Sequence, residues 1–174
     1  MELDFEIDKI TESIENAETG EVLKTLVVPV IEADLHGIHT KAGWLFDWRS
    51  ELLQPERQVC KLIAEKEPNV IQGLVSFEKD EGFMYMSLIE NSPLNLGKGK
   101  KYLGVAANLV AYVCKLSMEY GFGGIISFDS KTALISHYEK TLGAVRISGS
   151  GMVIFEKDAK ILIDKYFPKK EEKS

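Results

Sequence analysis

Cysteine and long apolar runs are both scarce in this sequence of 174 residues. The two cysteines, Cys60 and Cys114, are too few for a disulfide framework, which fits a reducing compartment. The longest apolar runs, such as residues 26–30, fall far short of the roughly 20 residues that a membrane-spanning helix needs. The acidic start, Met1–Asp4, lacks the basic and apolar regions of a signal peptide. These absences exclude a disulfide-rich secreted protein and a membrane protein, and we expect a cytoplasmic chain.

The side-chain composition is balanced, with 45% hydrophobic and 28% charged residues, as in a globular chain long enough to bury a core. This balance excludes disorder and collagen. The chain has no internal repeat and no linker rich in proline, glycine or serine, so residues 1–174 are predicted to form a single domain. Within it we distinguish an N-terminal extension, a core, a C-terminal helix and a tail, at residues 1–20, 58–156, 158–168 and 169–174.

Positive charge is scarce in the first half of the chain. Residues 1–90 hold 8 Lys and Arg against 19 Asp and Glu, a net charge of −11, whereas residues 91–174 hold 13 against 8, a net charge of +5. General nucleic-acid binding needs a clustered basic face, which the overall charge of −6 argues against, so we expect no nucleic-acid partner. The basic second half suits a small polyphosphate ligand or is an ordinary solvated surface, and charge alone does not separate the two.

Turn residues and hydrophobic patterns place the predicted elements of the first half. We expect strands at Ile10–Glu15 and Glu21–Val28 on either side of a turn, and a short helix near Ile31–His36. An antiparallel meander of three strands should follow, at Gln58–Glu65, Val70–Glu78 and Phe83–Glu90.

The spacing of apolar residues then changes to that of a helix. Val105, Leu109 and Val113 recur every four residues, which predicts a helix that runs to Gly121. This order of elements predicts a mixed α/β fold. The remaining predicted elements are a strand, a helix, a hairpin and a last amphipathic helix, at Gly124–Asp129, Thr132–Leu142, Val145–Ser148 with Met152–Phe155, and around Ala159–Tyr166.

One junction in this order is suited to anion binding. The strand that ends at Glu90 leads into the segment Asn91–Lys101, which contains two glycines and three lysines, and then into the helix that begins near Gly104. Free amides in the first turn of a helix point outwards, and the helix dipole adds partial positive charge there. The sequence therefore predicts a phosphate site at the start of this helix.

Two common phosphate-binding motifs do not match this junction. The run Gly97-Lys98-Gly99-Lys100-Lys101 does not fit the pattern of a P-loop, because no hydroxyl residue follows the lysine to hold magnesium. The same run lacks the third glycine of a dinucleotide-binding turn. A nucleotide-phosphate binder that uses this glycine–lysine loop is kept as an alternative function.

A better match is found immediately downstream. The segment Lys101-Tyr102-Leu103-Gly104-Val105-Ala106 resembles the pyrophosphate loop of the GCN5-related N-acetyltransferase superfamily, which reads Arg/Gln-x-x-Gly-x-Gly/Ala between the fourth strand and the central helix. The segment Ser130–Ala144 resembles the family's later Asn-x-x-Ala…Tyr-Glu-Lys-x-Gly-Phe pattern, with Ser130 or Lys131 in place of asparagine. The resemblance covers roughly residues 59–156, and the insertion Asn91–Lys100 departs from it.

The resemblance implies a fold and a cofactor. The fold is α/β (α+β), a mixed, mostly antiparallel sheet with splayed central strands, flanked by helices. The co-substrate is acetyl-CoA, whose pantetheine arm lies between the two splayed strands like an added strand. The residues that the resemblance assigns to cofactor binding are Leu88, Ile89, Lys101, Tyr102, Leu103, Gly104, Val105, Ala106, Ser130 and Lys131.

The resemblance also implies a reaction, the direct transfer of an acetyl group to a primary amine. Such a transfer needs a base for the amine proton and an acid for the leaving thiolate. We expect Glu90 to be the base and Tyr138 the acid. The structural alternatives are a strand-end carboxylate that faces water for Glu90 and a helix aromatic packed on the sheet for Tyr138. A non-catalytic module that binds acyl-CoA or another protein on the same fold remains the alternative function.

Other residues that could carry chemistry are assigned structural roles. His36 and His39 lack a third ligand nearby, so no metal site is expected. We expect His137 to be a hydrogen-bonded surface residue, with a proton carrier beside Tyr138 as the alternative, and Cys114 to pack in the core. The aromatic residues Trp44, Phe46 and Trp48 belong either to the core or to the wall of an acceptor pocket.

The acceptor is expected to be an amine, carried by a small molecule or a peptide. The acidic first half of the chain favours a cationic acceptor such as a polyamine, an aminoglycoside or a lysine-bearing peptide. A homodimer is left open.

Overall fold

A computed structural model describes residues 1–169 of the chain. Its strands, in chain order, are β1 (Ile14–Asn16), β2 (Val22–Leu23), β3 (Thr25–Pro29), β4 (Arg57–Ala64), β5 (Gly73–Lys79), β6 (Met84–Asn91), β7 (Tyr102–Leu103), β8 (Ile126–Asp129), β9 (Val145–Ser148) and β10 (Gly151–Ile154). Its α-helices are α1 (Trp48–Leu53), α2 (Val105–Glu119), α3 (Ile135–Leu142) and α4 (Glu156–Tyr166). Short 3₁₀ turns lie at Glu32–Leu35, Thr40–Ala42, Pro93–Asn95 and Thr132–Leu134.

The central sheet has seven strands in the order β3-β4-β5-β6-β8-β10-β9. Every neighbouring pair in it is antiparallel except β6 with β8, which is parallel. A parallel pair requires a crossover connection, and α2 lies in the segment that provides it. A second, small sheet has the order β2-β1-β7 and brings the start of the chain against the segment just before α2. The expected mixed, mostly antiparallel sheet is confirmed.

Burial explains why the first five residues of β5 are mostly apolar. Leu74, Val75 and Phe77 of β5 are fully buried, which means that both faces of this strand are covered. α2 packs on β5 and β6 and is itself covered by α4, so that ten of its fifteen residues are buried. A helix between a sheet and a second helix loses its polar face, which accounts for the apolar sequence of α2.

Several predicted boundaries are corrected by the structure. The predicted strand Ile10–Glu15 overlaps β1 only at its last two residues, because residues 10–13 are not part of a strand. The predicted strand Glu21–Val28 is two strands in different sheets, β2 and β3, with Lys24 between them. The segment Thr132–Leu134 is a 3₁₀ turn and α3 begins only at Ile135. The three-strand meander, α2 and the final hairpin lie close to their predicted positions.

No helix within residues 1–169 has both the length and the apolar composition needed to cross a membrane. Of the predicted tail 169–174, all but the first residue lies outside the described residues.

Candidate cofactor groove

The central sheet opens between β6 and β8. These parallel strands pair at only two positions, Met84 with Ile126 and Tyr85 with Ser127, although both strands continue beyond them. On its other side β6 remains paired with β5 as far as Asn91. The two strands therefore diverge towards their carboxyl ends and leave a groove, as expected for splayed central strands.

The helix α2 begins beside this groove, directly after Gly104. Gly104 has φ +86°, a left-handed conformation that favours glycine, and it offers no side chain to cap the helix. The next residues include the small Ala106 and Ala107, both buried. An uncapped helix start with small side chains is well suited to an anion.

The groove is filled by the start of the chain itself. We call residues 3–13 the N-terminal strap. The Leu3 amide donates to the Asp129 carbonyl at 2.7 Å, and the Lys131 amide donates to the Leu3 carbonyl at 3.0 Å. Because the Ser130 amide donates to the Ser150 carbonyl on the β10 side, Leu3 lies on the opposite edge of β8, the edge that faces the groove.

The strap alternates between buried and exposed residues. Leu3 and Ile7 are buried and Phe5 is partly buried, whereas Asp4 and Glu6 are exposed. The Phe5 ring stacks on Tyr138 with a centroid distance of 4.6 Å and contacts Phe128 edge-on at 5.8 Å. The strap therefore enters the groove as an extended segment with one apolar face.

Further along, the strap reaches the start of α2. The Gly104 amide donates to the Asp8 Oδ1 atom at 3.0 Å, and Lys100 Nζ lies 3.2 Å from Asp8 Oδ2. The Asp8 side chain is only 13% exposed. A Cβ atom on Gly104 would collide with Thr11 Oγ1 and would approach the Ser13 carbonyl oxygen to 2.8 Å. The space next to Gly104 is therefore occupied by the strap, with a carboxylate at the position predicted for phosphate.

Tyr138, the predicted acid, is fully buried against the strap. Its hydroxyl donates to the Phe5 carbonyl oxygen at 2.5 Å. Burial raises the pKa of this hydroxyl above its ordinary value, and the carboxylates of Asp4 and Glu6 raise it further. The hydroxyl thus keeps its proton and uses it to hold the strap.

Glu90, the predicted base, lies at the end of β6 and is 6% exposed. Its carboxylate accepts hydrogen bonds from the Leu45 amide at 2.7 Å and from the Trp48 indole nitrogen at 2.8 Å. Each oxygen of the Glu90 carboxylate has a second lone pair, so each can still accept one more hydrogen bond. Glu90 also lines a cavity of about 250 Å³, together with Phe5, Asp8, Phe46, Ile89 and Lys100.

The other predicted cofactor residues surround the same groove. Leu88 and Ile89 are buried on β6 and pair with β5 on the side away from β8. Ser130 is buried, and Lys131 Nζ forms an ion pair with the Asp4 carboxylate of the strap at 2.8 Å. The structure thus brings Leu88, Ile89, Ser130 and Lys131 to the two sides of one groove.

The loop before α2 is tied down by its own surroundings. The Tyr102 amide donates to Asn95 Oδ1 at 3.0 Å, and the Lys101 amide donates to the Leu94 carbonyl at 2.8 Å. Tyr102 and Leu103 form β7, which pairs with β1. In this conformation, some of the amides predicted to hold phosphate already have acceptors within the protein.

The remaining residues singled out in the sequence take structural positions. Trp44 and Trp48 are buried in the core, while Phe46 is partly buried and lines the cavity beside Glu90. His137 accepts a hydrogen bond from the Ile7 amide at 2.9 Å through Nε2, so it too holds the strap. Cys114 is buried in the core, as predicted. Among residues 1–169 there is no group of His, Cys, Asp and Glu side chains that could hold a metal ion.

The groove residues do not fit acetyl-CoA in this conformation. The Asp8 carboxylate would repel a diphosphate at the start of α2, and Phe5 fills the space beside Tyr138 where the splayed strands would receive the pantetheine arm. A cofactor could enter only after the strap had moved.

The strap is the functional feature that the sequence interpretation missed. The sequence predicts only an N-terminal extension at residues 1–20, and none of the predicted site residues lies within it. Leu3-Asp4-Phe5-Glu6-Ile7-Asp8 alternates apolar and acidic residues, which is the pattern of a half-buried extended strand. That pattern could have revealed an extended segment, although not the groove in which it lies.

Comparison with known proteins gives matches by structure only. No family model matches the chain, and no curated protein matches its sequence. The spermidine N-acetyltransferase of Vibrio cholerae, solved with CoA and spermine, is 14% identical with a TM-score of 0.53, covering 78% of this chain and 98% of that one. The ribosomal-protein-S18-alanine N-acetyltransferase of Escherichia coli is 12% identical with a TM-score of 0.52, covering 75% and 90%.

A third similar structure is AtaTR bound with AcCoA, at 12% identity and a TM-score of 0.54, covering 79% of this chain and 97% of that one. Identities this low establish the fold alone. The chain therefore has the mixed α/β fold of the GCN5-related N-acetyltransferases, as the two sequence motifs implied.

Proposed function

We propose that this chain is an acetyl-CoA-dependent N-acetyltransferase that moves an acetyl group directly to a primary amine. The observation that carries the proposal is the opening of the sheet between β6 and β8, directly beside the start of α2, where the Gly104 amide already binds an anionic group, the Asp8 carboxylate. A groove for an extended chain and a helix terminus for an anion are the two features that a long, diphosphate-bearing cofactor needs. Both lie in a fold that is similar to those of known acetyltransferases.

The proposed cofactor contacts belong to the open groove, with the strap displaced. Leu88 and Ile89 would present the backbone edge of β6, and Ser130 with Lys131 would border the opposite side. The segment Lys101–Ala106 would offer its amides to the diphosphate, beginning with the Gly104 amide that Asp8 now engages.

The proposed base is Glu90 and the proposed acid is Tyr138. Glu90 is supported by its position in the cavity wall, where the Leu45 amide and the Trp48 indole orient its carboxylate. Tyr138 is supported by its place beside the groove, where displacement of the strap would free the phenol hydroxyl that now donates to the Phe5 carbonyl.

The proposed acceptor class is an amine that is cationic in solution. The cavity beside Glu90 supports this class, as does the spermine in the similar Vibrio cholerae structure. However, Asp4, Glu6 and Asp8, which also line the cavity, lie on the strap, so their negative charge belongs to the closed form. In the open form Glu90 would be the carboxylate that faces the amine.

A second candidate function is the non-catalytic module on the same fold. The observation that favours it is the burial of Leu3 and Ile7 within the groove, because buried apolar side chains resist displacement. If the strap never leaves, the groove is part of the core and no cofactor enters.

An acetylation assay on the full chain separates these candidates. Released CoA is measured with a thiol reagent for a panel of a polyamine, an alkyl monoamine and a lysine-bearing peptide, and binding of CoA and ATP is compared by thermal shift. The two protein thiols are buried, so the reagent background should be low. Turnover of an amine supports the transferase. CoA binding without turnover supports a non-catalytic module that binds acyl-CoA, and no CoA binding supports a non-catalytic module whose strap never leaves the groove. Greater protection by ATP than by CoA, or no effect of either, contradicts the proposal.

A further inference from the structure

The N-terminal strap follows the path that an extended cofactor would take through the groove. Its first contact is the pairing of Leu3 with the end of β8, and its middle contact is Phe5 on Tyr138. Its last contacts are Asp8 and Thr11 at Gly104, where α2 begins. One continuous segment therefore touches the opened sheet, the predicted acid and the predicted phosphate site in turn.

The strap also reproduces the chemistry expected at the diphosphate position. The Asp8 carboxylate accepts a hydrogen bond from the Gly104 amide and forms an ion pair with Lys100. A backbone amide at a helix start together with a lysine is a common arrangement for binding phosphate. The Asp8 carboxylate thus satisfies the same donors that a phosphate oxygen would use.

The way the strap is attached is compatible with its displacement. Its C-terminal end continues into β1, which is paired on both sides with β2 and β7. Its N-terminal end is held to β8 by a single bridging residue, Leu3, and Met1 is 71% exposed. Because one residue pair rather than a ladder joins the strap to β8 in the described part of the chain, this end of the strap can separate from β8 while β1 stays in place.

We propose that the strap is a built-in competitor of the cofactor, which closes the groove in the resting protein and is displaced when acetyl-CoA binds. The inference rests on the proposed function, because it presumes that this groove is the cofactor site. The apparent affinity for CoA depends on the fraction of molecules in which the strap is released. CoA binds only to those molecules, so its apparent affinity falls when they are few.

The test is a calorimetric titration of full-length variants with CoA, combined with hydrogen exchange at the Leu3 and Ile7 amides. Phe5→Ala removes the ring that packs on Tyr138 and changes no charge. Asp8→Asn removes the carboxylate charge at Gly104. Glu12→Gln removes a charge from an exposed position of the same segment and is the matched control.

The inference predicts that Phe5→Ala accelerates exchange at both amides and lowers the dissociation constant of CoA about tenfold. Asp8→Asn should also accelerate exchange and lower the dissociation constant of CoA. Glu12→Gln should leave the exchange rates and the dissociation constant unchanged. Because Asp8→Asn perturbs the fold less than Phe5→Ala, it decides the question if the latter is unstable.

Two results would contradict the account, and they differ. If the chain binds CoA but the loosened variants bind it no more tightly, the strap is not a competitor and the proposed function stands. If exchange accelerates in the variants and none of them binds CoA, the groove is not a cofactor site, and the proposed function fails together with the inference.

Discussion

The Asp8 carboxylate accepts a hydrogen bond of 3.0 Å from the amide of Gly104, a residue 96 positions away in the chain. This pair joins the start of the protein to the start of α2 and places negative charge on the helix terminus. An anion at such a position contributes about 0.3–1 kcal/mol, and up to about 2 kcal/mol when partly buried. The apolar strap residues contribute more, because burial of one such side chain is worth about 1.5–3 kcal/mol. Packing therefore holds the strap more strongly than charge does.

Gly104→Ala should destabilise the protein more than Gly121→Ala. The two glycines have nearly the same φ, +86° and +87°, but only at Gly104 would a Cβ collide with neighbours, Thr11 and Ser13. The left-handed conformation alone costs about 1–2 kcal/mol for alanine, and overpacking adds about 1–3 kcal/mol. Denaturant titration of both variants measures the difference. Equal losses would mean that the strap does not press against Gly104.

Glu90→Gln should lower the free energy of unfolding by about 1–3 kcal/mol. The amide side chain offers one acceptor oxygen where the carboxylate offers two, so either the Leu45 amide or the Trp48 indole loses its partner. Thermal unfolding followed by tryptophan fluorescence measures the loss, with Glu81→Gln at an exposed turn as the control. A loss no larger than that of the control would show that these two hydrogen bonds to Glu90 do not stabilise the fold.

Tyr138→Phe separates two roles of one hydroxyl. As the proposed acid, its loss should lower kcat with little change in KM for the amine. As a donor to the Phe5 carbonyl, its loss should loosen the strap and tighten CoA binding about fivefold, since one net hydrogen bond is worth about 1 kcal/mol. The control is Tyr120→Phe, at a tyrosine that is 46% exposed. Unchanged kcat would argue against the acid role, and unchanged CoA affinity against the strap contact.

Alkaline pH should destabilise the fold through Cys60. Burial raises the pKa of this thiol from 9.0 to about 11, against a smaller opposing effect of a hydrogen bond with Tyr112. The folded state thus favours the neutral thiol, and its stabilising contribution is complete below pH 9 and is lost as the pH rises through 11.

The corresponding loss is about 2–3 kcal/mol. Cys60→Ala should make the fall of unfolding free energy between pH 9 and 11 shallower than in the unmodified chain. Val59→Ala, at the adjacent buried position, should lower stability equally at all pH values. Parallel pH curves for Cys60→Ala and the unmodified chain would contradict the assignment.

Much of the fold could be predicted because its signals are local. Val105, Leu109 and Val113 share one helical spacing, and α2 lies where that spacing places it. The meander strands β4, β5 and β6 are rich in residues that favour strands and are separated by turn residues, a combination that predicts strands from local sequence alone. The motif at residues 101–106 marked the start of α2 correctly, since Gly104 is the residue before its first turn.

The occupant of the groove could not be predicted in the same way. Phe5 contacts Tyr138 and Asp8 contacts Gly104 across more than ninety residues, and no local pattern encodes such pairings. The composition of residues 1–20, seven Asp and Glu against one Lys, indicates only an acidic extension. The position of the segment is instead determined by the alternating apolar residues Leu3, Phe5 and Ile7, because their side chains pack into the groove.

The most direct test of the account is hydrogen exchange at the amides of Leu3 and Ile7 in the full-length protein, with and without saturating acetyl-CoA. These amides donate to the Asp129 carbonyl and to His137, bonds that exist only while the strap lies in the groove. The account predicts that acetyl-CoA accelerates exchange at both amides while the amides of the β4–β5 ladder stay protected. Binding of acetyl-CoA with unchanged or slower exchange at both amides would contradict it.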